Sequence, residues 1–337
     1  MAVSARGPGC WETGTEVLCL GESMALFVPA EPGPAGEVRV WQRTAGGAES
    51  NVACHLVSLG VRAAWVSALG QDPFGYALLG EIEAAGVDVT QVRMDPDRPT
   101  GVYFKETGTD GGSPVRYYRR GSAASGMGPD LLHRLELDGV RLIHLSGITP
   151  ALSAGCEQLV RALLTSPRAG RRISFDVNWR PALWQDRDPA VLSELAALAD
   201  IVFVGDDEAA EIWGTGDAMA LRALLPQPST LVVKHGERGA TVFEGGRAPV
   251  FAPALQVEVV EAVGAGDAFA AGFLAAALRQ EPPETRLRCG HLQAASTLLT
   301  HNDVGEPLPP GVVAELLAAD DRAWAAARLT GTGVVRV

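Results

Sequence analysis

The second half of this 337-residue chain alternates between short β-branched, apolar runs and segments with helical spacing. This alternation constrains the fold most, because strands separated by helices form a largely parallel sheet with helices on both faces. The predicted strands of this half are 140–145, 172–177, 201–204, 231–234 and 240–243, and the predicted helices are 153–164, 192–198 and 206–213. The N-terminal part shows the same pattern, with strands at 17–20 and 63–69, a helix that ends at Gly60 and another at 74–85. The sequence therefore predicts an α/β fold, a doubly wound and mostly parallel sheet flanked by helices.

A β-rich insertion interrupts the alternation. The runs at 25–28, 38–44, 100–107 and 113–120 have strand character, and the residues 108–112 between the last two predict a hairpin. We expect a small β-sheet lid at 25–44 and 98–120, beside an α/β domain of residues 17–24, 45–97 and 121–337. A lid of this kind keeps water from a reacting site while still admitting substrate. Residues 1–16 have no periodicity, which predicts a disordered tail.

Charge and composition exclude several classes of partner. The formal net charge of −12 argues against nucleic acid and anionic membranes. No apolar run approaches the roughly 20 residues that a membrane helix needs, and the N-terminus has no apolar signal region. The five cysteines are scattered without metal-site spacing, which favours reduced thiols and a cytoplasmic location.

A glycine-rich turn precedes the predicted helix 268–278 and follows a strand-like run at 256–260. Gly264, Ala265 and Gly266 lie where the first helical N–H groups lack partners, so an anion can sit on the bare backbone there. Asp267 follows in the first turn. One anion site beside one carboxylate suits phosphoryl transfer, with the N–H groups holding the γ-phosphate and the carboxylate taking a hydroxyl proton. The alternative is an ordinary helix start in which the Asp is a cap or dipole partner.

Two segments together resemble the signatures of the ribokinase-like (PfkB) carbohydrate kinases. They are GGAESNVA at 46–53, followed by Leu59 and Gly60, and GAGDAF at 264–269. The resemblance extends from about residue 17 to the C-terminal helices. Within that family, YYRRGSA at 117–123, HLSGITP at 144–150 and DVNWR at 176–180 are similar to the kinases of 2-keto-3-deoxygluconate, a sugar acid. The resemblance implies a ribokinase-like fold, ATP and Mg²⁺ as cofactors, and phosphorylation of the C6 hydroxyl of that acid.

The resemblance also implies roles for individual residues. Asp267 would be the catalytic base beside the anion site formed by Gly264, Ala265 and Gly266. The sugar acid would contact Gly47, Asn51, Tyr103, Tyr117, Arg119, Arg180, Asp267 and Asp303. The nucleotide side would be lined by Asn178, Arg180, Lys234, Gly236, Gly239, Gly264, Gly266 and His291. Glu208 would lie where the family holds magnesium.

The two arginines fit an acidic substrate for a physical reason. A guanidinium fork binds a planar carboxylate through two hydrogen bonds, which a lysine cannot do. Arg119 ends a lid strand and Arg180 follows a sheet strand, so the two could converge across a cleft. The alternatives are that these arginines are solvated loop charges and that Tyr103 and Tyr117 are cross-strand packing partners. Likewise, the turn 234–239 could be a plain hairpin, and Glu208 could be a helix N-terminal charge.

Four positions depart from the family pattern. Gly205 stands where an Asn is usual, and His291 stands near the adenine where an Asn is familiar. The segment 301–303 replaces a tighter Gly-Asp turn. Glu261 and Ala262 replace residues beside a monovalent-cation site, so dependence on such a cation stays open.

Other functions remain as alternatives. The nearest is a kinase of the same family acting on a neutral sugar or a nucleoside, such as fructose, ribose or adenosine. A non-catalytic sugar sensor is a more distant one. A dinucleotide-binding oxidoreductase is disfavoured because the glycines from Gly264 onward lack the third glycine of G-x-G-x-x-G, and no P-loop motif is present. The edges of a small lid sheet also suggest a homodimer formed through the lid.

Overall fold

The structure, a computed structural model, describes residues 14–31, 33, 36–105, 115–330 and 333–336. Its strands are, in chain order, β1 (Val17–Leu20), β2 (Met24–Pro29), β3 (Trp41–Gly46), β4 (Ala63–Val66), β5 (Ala68–Gly70), β6 (Arg93–Asp95), β7 (Val102–Lys105), β8 (Val115–Tyr118), β9 (Leu142–Ser146), β10 (Arg172–Asp176), β11 (Ile201–Gly205), β12 (Thr230–Lys234), β13 (Ala240–Glu244), β14 (Val250–Ala252), β15 (Gln256–Val257), β16 (Ala327–Thr330) and β17 (Gly333–Arg336). Its α-helices are α1 (Ala48–Ser58), α2 (Pro73–Ala84), α3 (Ile148–Leu152), α4 (Ala154–Thr165), α5 (Pro181–Trp184), α6 (Ala190–Leu198), α7 (Asp206–Trp213), α8 (Ala218–Leu224), α9 (Ala265–Leu278), α10 (Pro283–Leu298), α11 (Pro310–Leu317) and α12 (Asp321–Ala326).

An eight-stranded sheet in the order β14-β13-β12-β11-β10-β9-β1-β4 forms the centre of the main body. The strands from β12 to β4 pair in parallel. The edge strands β13 and β14 are antiparallel. The predicted α/β fold with a mostly parallel sheet is confirmed.

Helices cover both faces of this sheet, as the alternation of side chains along β1 shows. Val17 and Cys19 belong to an apolar cluster with residues of α1, α2, α9 and α10. Leu18 and Leu20 belong to a second cluster with residues of α4 and α6. Because side chains of a strand alternate between faces, the two clusters lie on opposite sides of the sheet, which is a doubly wound arrangement.

A separate four-stranded sheet in the order β3-β2-β7-β8 contains the strands predicted for the lid. β2 pairs antiparallel with β3 and parallel with β7, and β7 pairs antiparallel with β8. Met24, Leu26 and Tyr103 form the small apolar cluster of this sheet. The predicted hairpin residues 108–112 and residues 1–13 of the predicted tail lie outside the described residues. The division of the chain into domain and lid stays a prediction.

Several predicted strands have different bounds in the structure: the runs 38–44 and 140–145, for example, are strands at Trp41–Gly46 and Leu142–Ser146. The run 63–69 divides into β4, which pairs with β1, and β5, which leaves the main sheet and pairs in parallel with β6. The apolarity and β-branching of a run predict a strand, but they do not show with which other strand it pairs. The run 256–260 is a strand only at Gln256–Val257, because the residues beyond it lead into the start of α9.

A small C-terminal sheet supports this short strand. β16 pairs in parallel with β15 and antiparallel with β17. Trp324 of α12 is fully buried in the adjoining apolar cluster and donates a hydrogen bond from Nε1 to Pro253 O at 2.8 Å. Helix α12 and strand β16 therefore pack against residues 253–257, the segment that leads to α9.

Small residues allow α9 to lie deep in the body. From Ala268 to Leu278 every residue of this helix is buried. A Cβ on Gly272 would lie 2.4 Å from the carbonyl oxygen of Cys289 in α10, so these two helices approach too closely for any larger residue. In the described part of the chain, no helix has both the length and the apolarity to cross a membrane.

Candidate active site

The candidate site begins at the N-terminus of α9. Gly264 precedes the helix with φ of 86°, and a Cβ there would lie 2.4 Å from Asp303 O, so only glycine fits. The described hydrogen bonds include none donated by the backbone of Gly264, Gly266 or Asp267, while Ala265 N–H makes a long 3.4 Å contact to Ala262 O. These donors point to a site for an anion at a helix N-terminus.

Asp267 lies half-buried in the first turn of α9. Its Oδ2 accepts a 2.9 Å hydrogen bond from Asn51 Nδ2 of α1, and its Oδ1 is 3.5 Å from Asn178 Nδ2. Burial raises the pKa of this carboxyl to about 7, and the charges of Asp176 and Asp303 act in the same direction. The Asn51 hydrogen bond and the Arg180 charge lower the pKa and so offset part of that rise. The result is a carboxylate basic enough to accept a proton near neutral pH.

A cation lies beside the anion site. Lys234, the last residue of β12, places Nζ 3.0 and 3.2 Å from the two carboxylate oxygens of Asp176, the last residue of β10. The same Nζ is 3.6 Å from the position that a Cβ on Gly266 would take. Burial alone lowers the pKa of Lys234, but the charges of Asp176 and Glu208 outweigh it and raise the pKa above its usual value. Lys234 therefore stays charged next to the free N–H groups of α9.

The lid reaches the site through Asp303. Lys105 Nζ of β7 forms a buried 2.8 Å ion pair with Asp303 Oδ1, and Tyr103 OH donates to Asp303 Oδ2 at 3.2 Å. Tyr117 of β8 stacks on Tyr103 with ring centroids 5.5 Å apart. Burial, with the Asp303 charge, raises the pKa of Tyr103 well above 10, which keeps the phenol protonated. The structure thus brings Tyr103, Tyr117 and Asp303 together, and the backbone of Asp303 lies against Gly264.

The two arginines have different surroundings. Arg119 is buried and pairs with Glu22, its Nε lying 2.7 Å from Glu22 Oε2, and its Cζ is 5.5 Å from the Tyr117 ring centroid. Arg180 is exposed, donates to the Trp179 carbonyl at 2.8 Å and lies 3.7 Å from Glu208 Oε1. Arg119 thus lies on the lid side of the site and Arg180 on the Asp267 side.

The remaining predicted residues lie around this centre. Gly47 caps α1 with extended backbone, and a Cβ there would lie 2.5 Å from Glu22 O. Asn178 is buried with φ of 41°, and its Oδ1 has no hydrogen-bond donor among the described residues. Such an orphaned acceptor fits a ligand hydroxyl or water. Gly236 and Gly239 frame the turn between β12 and β13.

His291 is buried in α10 rather than open to a cleft. Its Nε2 lies 3.1 Å from Ala252 O, and its ring meets Phe269 edge-on at 5.1 Å. Burial lowers its pKa to about 4, so the imidazole is neutral at pH 7. Its predicted adenine contact stays a prediction.

The fit to a metal ion is limited. Glu208 accepts backbone hydrogen bonds from Trp179 N–H at 3.0 Å and from Gly205 N–H at 2.9 Å. In the described part of the chain, no group of three or more His, Cys, Asp or Glu side chains is arranged to hold a metal. This matches Mg²⁺ carried chiefly by nucleotide phosphates and water, with few direct protein ligands.

Three residues of the site were missed in the sequence analysis. Asp176 lay within a quoted segment without a role, although it ends a strand at the carboxyl edge of the sheet. Lys105 lies two residues after Tyr103 on β7 and therefore on the same face of the strand. Because side chains alternate along a strand, the sequence could have shown that these two residues share a face. Glu22 follows directly on β1, but nothing local shows that it pairs with Arg119.

The match to a protein family covers most of the chain. Residues 14–309 match the model of the pfkB family carbohydrate kinases. The 2-dehydro-3-deoxygluconokinase of Bacillus subtilis (strain 168) is 38% identical over 270 residues, covering 78% of this chain and 83% of that protein. The enzyme of the same name from Thermoproteus tenax is 33% identical over 318 residues, covering 91% and 96%. Probable fructokinase-5 of Arabidopsis thaliana is 29% identical over 269 residues, covering 77% and 81%.

Solved structures agree on the fold. A PfkB protein from Polaromonas sp. JS666 is 33% identical with a TM-score of 0.79, covering 91% of this chain and 100% of that one. A 2-dehydro-3-deoxygluconokinase from Thermotoga maritima is 24% identical with a TM-score of 0.82, covering 91% and 99%. A putative ribokinase II from E. coli, in complex with ATP and Mg²⁺, is 21% identical with a TM-score of 0.77, covering 87% and 94%.

The resemblance seen in the two signature segments is therefore confirmed over nearly the whole length of the fold. The mostly parallel sheet with its flanking helices and the separate small sheet belong to an architecture shared with these proteins. The chain belongs to the pfkB family of carbohydrate kinases.

Proposed function

We propose that this chain is an ATP-dependent sugar-acid kinase, which phosphorylates the C6 hydroxyl of 2-keto-3-deoxygluconate (2-dehydro-3-deoxygluconate in the names of its relatives). The observation that carries the chemistry is Asp267, a carboxylate of raised pKa beside backbone N–H groups that have no acceptor among the described residues. The substrate class is supported by the two relatives of that name at 38% and 33% identity. The fructokinase likeness is weaker, at 29%.

The phosphate side consists of the α9 N-terminus and Lys234. Among the described residues, the N–H groups of Gly264, Gly266 and Asp267 donate no hydrogen bond, and at the start of a helix they are available to a transferring phosphoryl group. Lys234 adds a full positive charge near Gly266. Asn178, Gly236, Gly239 and His291 are proposed to line the remainder of the nucleotide site. Mg²⁺ on the phosphates, with Glu208 as its acidic neighbour, would supply neutralising charge.

The acceptor side consists of Asp267 and its amide partners. Asn51 fixes the carboxylate by a 2.9 Å hydrogen bond, so one oxygen stays oriented while the other can take the hydroxyl proton. Phosphoryl transfer has a loose transition state, so positioning and charge stabilisation contribute more than strong deprotonation. A base with a pKa near 7 is sufficient for this role.

The substrate side consists of lid residues and Arg180. Tyr103, Tyr117 and Asp303 would contact the sugar acid next to Gly47 and Asn51, with Arg119 and Arg180 as the cations for its carboxylate. Both guanidinium groups can make charge-assisted hydrogen bonds to a carboxylate.

We also propose that two copies of the chain associate through the lid. On the face of the lid sheet opposite Tyr103, Phe27 stacks on Phe104 at 5.0 Å, and Trp41 and Tyr118 meet Phe104 edge-on at 5.2 and 5.8 Å. Tyr118 is 63% exposed. An aromatic face with open strand edges suits another lid of the same kind.

The activity is tested by ATP-dependent phosphorylation of a substrate panel. We expect kcat/KM for 2-keto-3-deoxygluconate to exceed that for fructose, ribose and adenosine by at least about tenfold, because hydrogen bonds between charged groups contribute ~1.5–3 kcal/mol. A higher kcat/KM for a neutral sugar or a nucleoside would show that the chain is a kinase of the same family with that substrate instead. Absence of ATP turnover with every sugar of the panel would favour the sensor.

The role of Asp267 is tested by Asp267→Asn. The amide cannot accept the proton, so we expect kcat to fall by roughly 10²–10⁴-fold. ATP affinity, measured by titration calorimetry, should change little. Asp130→Asn, at an exposed carboxylate, is the control and should match the wild type. Turnover of the Asp267 variant at the wild-type rate would contradict the assignment.

The raised pKa of Asp267 predicts the pH dependence. Below pH 7 the buried carboxyl is largely protonated and cannot act as a base. We therefore expect kcat/KM, which reports the free enzyme, to rise with pH through about 7 and then level off. A rate profile that is flat from pH 5.5 to 8 would exclude this residue as the titrating base.

The lid association is tested by light scattering after gel filtration. We expect a dimer for the wild type, and about tenfold or more weaker association for Tyr118→Lys, as for an aromatic at the centre of an interface. Met219→Lys changes an equally exposed apolar residue on α8 and is the control. The proposal would be refuted if the wild type were monomeric, or if Tyr118→Lys formed a dimer of the same affinity as the wild type.

A further inference from the structure

A buried carboxylate that the proposed mechanism does not use lies where the lid joins the body. Glu22 follows β1 and is 2% exposed. Its Oε2 accepts from Arg119 Nε at 2.7 Å, and Arg119 Nη2 lies against the same oxygen. Its Oε1 accepts from Ser122 Oγ at 2.5 Å, and a Cβ on Gly101 would lie 3.0 Å from that oxygen. Three segments that connect the main body to the lid sheet, at Glu22, at Gly101 and at residues 119–122, therefore meet at the Glu22 side chain.

These contacts fix the orientation of Arg119. Glu22 accepts a hydrogen bond from Nε and lies against Nη2, and Tyr117 faces the guanidinium from 5.5 Å. Nη2 is buried and donates no hydrogen bond to any residue that the structure describes, and no described hydrogen bond involves Nη1. A guanidinium presents its five N–H groups in a rigid plane, so holding one edge also sets the direction of the other.

The Glu22–Arg119 ion pair also explains how Arg119 can keep its positive charge in a buried position. An arginine that is 8% exposed would be costly without a counter-charge, and Glu22, whose side chain is 1% exposed, supplies it. Tyr117 connects the pair to the site, because it stacks on Tyr103, whose hydroxyl bonds to Asp303.

We propose that Glu22 is a positioning residue for the acidic substrate: it holds one edge of Arg119 so that the Nη1 edge receives the substrate carboxylate. This inference rests on the proposed function. Glu22 touches no reacting atom and acts through Arg119 alone. Without its charge, Arg119 loses both its counter-ion and its fixed plane, and two-point recognition of a carboxylate is lost with them.

The test compares Glu22→Gln, Glu22→Asp and the control Glu194→Gln. Glu194 also pairs with an arginine, Arg161, at 2.8 Å, but on the exposed surface of α6. For Glu22→Gln we expect KM for 2-keto-3-deoxygluconate to rise by roughly 10- to 100-fold, as expected for losing hydrogen bonds between charged groups. KM for ATP and kcat at saturating sugar acid should stay near wild type. Glu22→Asp keeps the charge and should restore part of the affinity, and Glu194→Gln should change neither KM.

The outcomes separate this inference from the proposed function. A wild type that ignores sugar acids contradicts the function itself. A wild type that uses them, with an unchanged sugar-acid KM in Glu22→Gln, overturns the role of Glu22 alone. Parallel losses in kcat, in both KM values and in thermal stability would show a structural role and also overturn it. If Glu22→Gln does not fold, the same split between the two KM values is read from Glu22→Asp.

Discussion

The hydrogen bond between Asn51 and Asp267 joins helices from opposite ends of the chain, 216 positions apart. It exists because α1 and α9 pack on the same face of the central sheet. Burial drives the Asp267 carboxyl toward its protonated form, and the amide of Asn51 opposes that drive. The candidate base therefore depends on the docking of two helices as much as on its own identity. Any change that separates α1 from α9 would remove this donor.

The three aspartates of the site differ in their partners. Asp176 pairs with Lys234, and Asp303 pairs with Lys105. Among the described residues Asp267 has amide neighbours and no ion pair, and burial raises its pKa to about 7. The two paired carboxylates stay available for structure: one holds a cation at the anion site, and the other fastens the lid to the body. The candidate base and two ion-paired aspartates thus lie close together.

Features with a local cause could be predicted from the sequence. The strand 17–20 and the helix 206–213 have the predicted bounds, since apolar runs and an acidic helix start are local signals. The helix start at Gly264 was predicted because glycines and a following apolar run are adjacent in sequence. Pairings across long distances were not predictable: β5 leaves the main sheet for β6, and β16 adds to β15 from the far C-terminus. The Glu22–Arg119 and Lys105–Asp303 pairs have the same character, because packing alone brings those residues together.

The ion pair between Lys105 and Asp303 has a consequence for the behaviour of the lid in different media. Both side chains are almost fully withdrawn from solvent, at 4% and 3% exposure. Mobile ions weaken charge pairs that they can surround, and they act far less on pairs from which they are excluded. An exposed pair such as Arg161–Glu194 loses its attraction as ionic strength increases. The Lys105–Asp303 pair between the small sheet and the main body is largely exempt from that loss, so this contact persists at low and at high ionic strength.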